Sequence, residues 1–298
     1  MIKRLIHLAA CLIFISACAN SRAVSDKPRI VATTTVIGDI AHQIAGDKID
    51  LIILLKPGVD PHDYEPVPGD LQAISQAQIV FANGAGLERW LPKLIQSAGT
   101  TVKVVNVSEG LTLRTLTEGG ATVTDPHLWF DVKNAQHYAE EIRDGLISID
   151  SGNADAYRSN AQAYIDQLQQ LDEWIVAQVS SLPVANRVLV TNHDTFGYFS
   201  QRYGFTILGT IFPTSGAEAS PSAQQIAQLV DSIKQAKVRA VFTENTLNPD
   251  LANTIAQEAG VKVIDQLYTD SLGAPDSPAA TYIDMMHYDV QTIVNALK

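Results

Sequence analysis

Two stretches of this chain repeat one strand–helix–strand rhythm, and nothing else in the sequence narrows the possible folds as much. In the first, Arg29–Thr34 is apolar and β-branched, Val36–Ala45 can form a helix ended by Gly46, and Asp50–Leu55 is strand-like again. In the second, Arg187–Thr191 reads as a strand, Thr195–Tyr203 as a helix ended by Gly204, and Phe205–Ile211 as a strand. The first stretch continues with a helix near Pro68–Gln76, a strand Ile79–Ala82, a helix near Leu87–Ala98 and a strand Val102–Val107. The second continues with helix Ser222–Ala236, strand Arg239–Thr243, helix Pro249–Gly260 and strand Lys262–Leu267. Such alternation predicts a parallel sheet covered by helices, once in each half.

Between the halves lies Asn153–Leu182, free of glycine and closed by Pro183. Tyr157, Ala161, Tyr164, Leu168, Leu171, Ile175 and Val179 recur at steps of three and four. That spacing predicts one helix of about 28 residues, about 42 Å long. The expected class is therefore α/β: two lobes, each a mainly parallel sheet flanked by helices, joined by one long helix. The expected divisions are an N-terminal lobe at 29–152, the linking helix at 153–183 and a C-terminal lobe at 184–298. A single helical rod allows only small motion between lobes.

The N-terminus is a different kind of segment. Met1-Ile2-Lys3-Arg4 precedes a 13-residue, largely apolar run, which suits a secretory signal and is short for a membrane span. Ile15-Ser16-Ala17-Cys18 resembles a bacterial lipobox, which implies removal of 1–17 and a lipid on Cys18, with residues 18–28 as a polar tether. Both cysteines, Cys11 and Cys18, fall in this segment, so no disulfide framework, zinc finger or iron–sulfur site can be built further along. The formal charge of −11 argues against nucleic acid as a partner and is compatible with cationic ligands.

Of seven histidines, three follow strand ends. His62 lies in Lys56-Pro57-Gly58-Val59-Asp60-Pro61-His62-Asp63-Tyr64-Glu65-Pro66, a loop stiffened by its prolines. His127 lies in Asp125-Pro126-His127-Leu128-Trp129, and His193 in Thr191-Asn192-His193-Asp194-Thr195. Asp270 follows Lys262–Leu267 in the same way. Open α/β sheets bind ligands at the carboxyl ends of strands, and neutral imidazoles with a carboxylate suit Zn²⁺. The separations of 65, 66 and 77 residues between successive members make no local metal motif, and singly each His reads as a loop or capping residue. Only their equivalent topological positions join them. His42, His137 and His287 read as helix residues, and Gly84-Ala85-Gly86 lacks the third glycine of a dinucleotide turn. Glu244 ends a strand, where it can cap a loop or hydrogen-bond a ligand imidazole.

From Arg29 onward the chain resembles the zinc/manganese-type solute-binding lipoproteins of bacterial metal ABC importers, the ZnuA/TroA-like cluster A-I. The resemblance rests on several segments in order. They are Thr33-Thr34-Thr35 with Gly38-Asp39-Ile40, Pro61-His62-Asp63-Tyr64-Glu65-Pro66, Asn83-Gly84-Ala85-Gly86-Leu87-Glu88-Arg89-Trp90, Asp125-Pro126-His127-Leu128-Trp129, His193-Asp194-Thr195-Phe196-Gly197-Tyr198-Phe199 and Phe242-Thr243-Glu244. It implies metal ligands at His62, His127, His193 and Asp270, with Asp270 in the loosest match. It also implies an extracytoplasmic, lipid-anchored monomer that hands its cargo to an ABC permease and its ATPase subunit. Three imidazoles favour Zn²⁺, and a carboxylate-richer set favours Mn²⁺. Zinc members often carry a His-rich loop before the second ligand, and Glu109–Thr124 here has no histidine.

Two classes of function remain to be separated. One is capture of a divalent metal for transport: Zn²⁺ first, Mn²⁺ or Fe²⁺ as the alternative. The other is a secreted zinc hydrolase, with Asp63, Asp194 or Glu244 as base. Catalytic zinc keeps an open position, so four protein ligands favour transport. Nothing in the residues supports an adhesin.

Overall fold

The computed structural model describes residues 27–118, 120–212 and 220–298, so the signal and Cys18 lie outside the described residues. The β-branched segments form short parallel strands. In the first lobe β1 (Arg29–Ala32), β2 (Asp50–Ile53), β3 (Ile79–Ala82) and β4 (Lys103–Asn106) make one parallel sheet in the order β2-β1-β3-β4. Alternate residues of a strand face opposite sides, and here each side has its own core. Ile30 and Ala32 join one hydrophobic cluster and Val31 the other, as Ile79 and Phe81 part from Val80 and Ala82.

Helices α1 (Thr35–Ala45) and α4 (Val132–Ile149) cover one face, and α2 (Pro68–Gln76) and α3 (Leu91–Ala98) the other. In the second lobe β7 (Val188–Thr191) pairs with β8 (Thr206–Thr210), and β9 (Ala240–Glu244) with β10 (Lys262–Leu267), both in parallel, while β7 packs beside β9. Helices α7 (Ala223–Ala236) and α8 (Asp250–Ala259) form its outer layer, and α6 (Gly197–Tyr203) and α9 (Tyr282–Leu297) its inner one.

The linking helix α5 (Ala154–Ser180) buries the whole predicted stripe from Tyr157 to Val179. It is more than a rod between lobes. It packs on α1 and α4 of the first lobe and α9 of the second, so one continuous core runs through both lobes.

The lobes also touch directly. The Leu272 N–H donates to Thr35 Oγ1 (2.8 Å) and the Gly58 N–H to Ser271 Oγ (2.8 Å). Trp129 Nε1 donates to the Thr269 carbonyl (3.1 Å), and the Tyr282 N–H to Asp39 Oδ2 (2.8 Å).

Three local expectations are corrected. The helix expected from Leu87 begins at Leu91, because Glu88 turns back and its carboxylate accepts from the Asn83 and Gly84 N–H groups and the Thr33 hydroxyl. The helix expected from Thr195 begins at Gly197. Glu109–Thr124, expected as a loop, contains an antiparallel hairpin of β5 (Thr115–Glu118) and β6 (Ala121–Thr124). Its Thr-rich arms pair residue for residue.

Candidate metal centre

Four loops that leave strand ends meet between the lobes. His62 stands beyond β2 in the proline-rich loop, held where Asp60 Oδ1 accepts the His62 N–H (2.8 Å) and Trp90 Nε1 donates to the Pro61 carbonyl (2.9 Å). His127 follows β6, at the start of a short turn that leads into α4. His193 follows β7 directly. Asp270 follows β10, and its loop is stapled by Asn245, whose Oδ1 accepts the Thr269 N–H (3.2 Å) and whose Nδ2 donates to the Ser271 carbonyl (3.0 Å).

One donor atom from each of the four residues lies within 4.8 Å of every other. Nε2 of His127 is 3.2 Å from Nε2 of His62 and 3.2 Å from Nε2 of His193. Asp270 Oδ1 is 3.4 Å from His127 Nε2 and 4.0 Å from His62 Nε2, and Oδ2 is 3.2 Å from His193 Nε2. Four tetrahedral donors about 2.0–2.2 Å from a common centre stand about 3.3–3.6 Å apart, and the shortest separations here, 3.2–3.4 Å, come close to that range. Both Asp270 oxygens are buried and take no hydrogen bond among the described residues, which leaves their lone pairs for a cation.

The outer nitrogens are held by carboxylates. Asp125 Oδ1 lies 2.9 Å from His127 Nδ1 and Glu244 Oε2 lies 2.7 Å from His193 Nδ1, an arrangement that fixes each ring with Nε2 facing inward. Glu244 also accepts the His193 N–H (3.0 Å) and the Thr269 hydroxyl (2.9 Å), so it both turns the ring and caps the loop.

The charge balance suits a cation. Burial alone would lower the His193 pKa, but the carboxylates of Glu244 and Asp270 outweigh it and hold that imidazole well above its ordinary value. For Asp270, burial pushes upward, yet His193 and the other two rings hold its carboxyl well below the usual range. Burial first, then repulsion from Asp270, push Asp60 up to about 7.

The other histidines lie elsewhere. His42 is exposed on α1, His137 Nε2 lies 2.7 Å from the Glu109 carbonyl oxygen, and His287 stacks edge-on against Trp174 at 4.2 Å. Asp63 is exposed. Sequence reasoning gave no role to Asp125, although an acid two residues before a loop His was a usable signal. It also missed Asp60, which bears the same relation to His62.

The profile of the family described as ZnuA, zinc-uptake complex component A periplasmic, matches residues 30–296. The chain belongs to the ZnuA family. The manganese-binding lipoprotein MntA of Halalkalibacterium halodurans is 39% identical over 269 residues, spanning 90% of this chain and 88% of that one. The manganese ABC transporter substrate-binding lipoprotein PsaA of Streptococcus anginosus is 32% identical over 303 residues, spanning 98% and 97%. Among solved structures, the periplasmic zinc binding protein TroA from Treponema pallidum superposes with a TM-score of 0.84 at 31% identity, covering 91% of this chain and 99% of its own. This chain is thus a metal-binding, substrate-binding component of an ABC importer, working outside the cytoplasm.

Proposed function

We propose that the chain captures a divalent transition-metal ion at His62, His127, His193 and Asp270 and delivers it to an ABC permease served by an ATPase subunit. The observation that carries this is the buried convergence of three Nε2 atoms and one carboxylate from four separate strand-end loops. Two donors belong to the lobe at 29–152 and two to the lobe at 184–298, so the ion cross-links them. The lipobox-like Ile15–Cys18 supports a lipid anchor on Cys18, and the protein acts as a monomer.

Of Zn²⁺, Mn²⁺ and Fe²⁺, this donor set suits Zn²⁺ best, since three imidazoles follow its preference and it binds N/O sites above the other two. A second reading, Mn²⁺, has a specific observation behind it. Both Asp270 oxygens are free and both face imidazoles, so five donors are available to an ion that prefers more than four. The names of MntA and PsaA point the same way. Elemental analysis of protein purified from its native host, together with Zn²⁺/Mn²⁺ competition, separates the two. Absence of any bound transition metal, with no affinity for either ion, refutes both.

A hydrolase is disfavoured on ligand chemistry. Four protein donors fill the shell that catalytic zinc leaves open, and Glu244 is engaged behind His193 rather than facing the cleft.

A further inference from the structure

Arg114 stands at the foot of the β5–β6 hairpin, outside the donor cluster. Its Nη1 lies 2.5 Å from Oδ2 of Asp125, whose side chain is fully buried. The other oxygen of that carboxylate accepts the His127 N–H (3.0 Å) and faces His127 Nδ1 at 2.9 Å. One carboxylate thus joins the guanidinium to the imidazole.

Helix α6 of the second lobe closes over this pair. The Tyr198 hydroxyl accepts the Arg114 N–H (2.9 Å) and donates to the Asp125 carbonyl (3.1 Å), and the guanidinium carbon sits 5.3 Å from the Tyr198 ring centre. Beside Tyr198, Gly197 has no Cβ, and one placed there falls 1.4 Å from Arg114 Nη1 and 2.6 Å from Asp125 Oδ2. The guanidinium occupies the space that a side chain at position 197 would take.

We propose that Arg114 is a positioning residue for metal capture, acting on His127 through Asp125. The inference rests on reading His127 as a metal ligand. A carboxylate with no exposure needs a charged partner; without one it turns toward water or recruits it. His127 then loses the acceptor that fixes its tautomer and aims Nε2 at the ion. Partners in this position are typically worth about 10–100-fold in metal affinity. Because α6 begins just after His193, the same contact ties a first-lobe donor to the segment that bears a second-lobe donor.

The test is a double-mutant cycle read as Zn²⁺ affinity by chelator competition on the full mature chain. Arg114→Ala is expected to weaken binding by about 10–100-fold, and Arg114→Lys to recover part of the loss. The loss should persist in a His62→Ala background and vanish in a His127→Ala background, a pattern that a general folding role does not produce. Equal losses in both backgrounds, or wild-type affinity in Arg114→Ala, overturn the proposal. If Arg114→Ala does not fold, Arg114→Gln runs the same cycle with the same criteria. Wild-type affinity in His127→Ala alone sinks the metal-ligand reading and this inference with it, whereas weakened His127→Ala beside unchanged Arg114→Ala sinks only the inference.

Discussion

Zinc binding is expected to strengthen as pH rises above about 6.5, and the reason lies in His193. This ring sits between two carboxylates, 2.7 Å from Glu244 Oε2 and 3.2 Å from Asp270 Oδ2. Burial opposes its protonation, but the two carboxylates prevail and the pKa is raised well above the ordinary value. From about pH 6.5 up to that raised value, the empty site therefore carries one proton that an incoming ion must displace. One displaced proton changes apparent affinity tenfold per pH unit, about 1.36 kcal/mol.

A reading from free imidazole alone places the end of proton competition near pH 6.5; the structure moves it upward. Folding stability changes in the opposite sense. The raised His193 pKa stabilises the metal-free fold fully below about pH 6.5, and that contribution disappears as pH rises through the folded value. The lowered Asp270 pKa contributes above about pH 4 and is lost as pH falls through its folded value. The rise in Tm on adding metal should therefore grow between pH 6.5 and 8. Calorimetric titration of Zn²⁺ at pH 7.5 in two buffers of different ionisation enthalpy counts the protons released, and release is expected. Glu244→Gln removes one of the two carboxylates and should reduce that count. No proton release at pH 7.5, with flat affinity from pH 7 to 8, refutes the reasoning.

Further outcomes follow from the same contacts. His62→Ala, His127→Ala and His193→Ala should each weaken Zn²⁺ binding at least about tenfold by removing a donor, and Asp270→Ala less, since water can replace a carboxylate; chelator competition measures all four. Metal at about 100 times its Kd should stabilise the fold by about 2.7 kcal/mol in a thermal or denaturant melt. Leu168→Ala, at a fully buried position on α5, should cost about 2–5 kcal/mol in denaturant unfolding while leaving the four donors intact. Cys18→Ala should abolish fractionation with membranes; unchanged fractionation and mass would exclude lipidation there.

Much of the scaffold was readable because its signals are local. The observed limits of α2, β3 and β10 coincide with the expected ones, where a Pro start, an apolar run and β-branched residues mark them. The buried stripe of α5 was visible as periodicity. Other elements depend on distant or overlooked partners. The late start of α3 is set by Glu88 turning back onto Asn83, Gly84 and Thr33, a contact that helical propensity does not report. The hairpin has a signal in Gly119-Gly120 between alternating Thr and apolar residues, which a reading of Glu109–Thr124 as a loop overlooks. At the candidate metal centre, strand-end positions drew attention to the four residues, and the family resemblance supplied their role as ligands. Their approach could not be read, because His62 and His127 meet only once the first lobe folds, and His127 and His193 only once the two lobes pack.

The polar contacts across the lobe boundary, from Thr35 to Leu272, Gly58 to Ser271, Trp129 to Thr269 and Asp39 to Tyr282, join the two lobes beside the site. Their consequence is kinetic. An ion held between the lobes can leave only through them, so its residence time is set by how often those contacts open as well as by the donors.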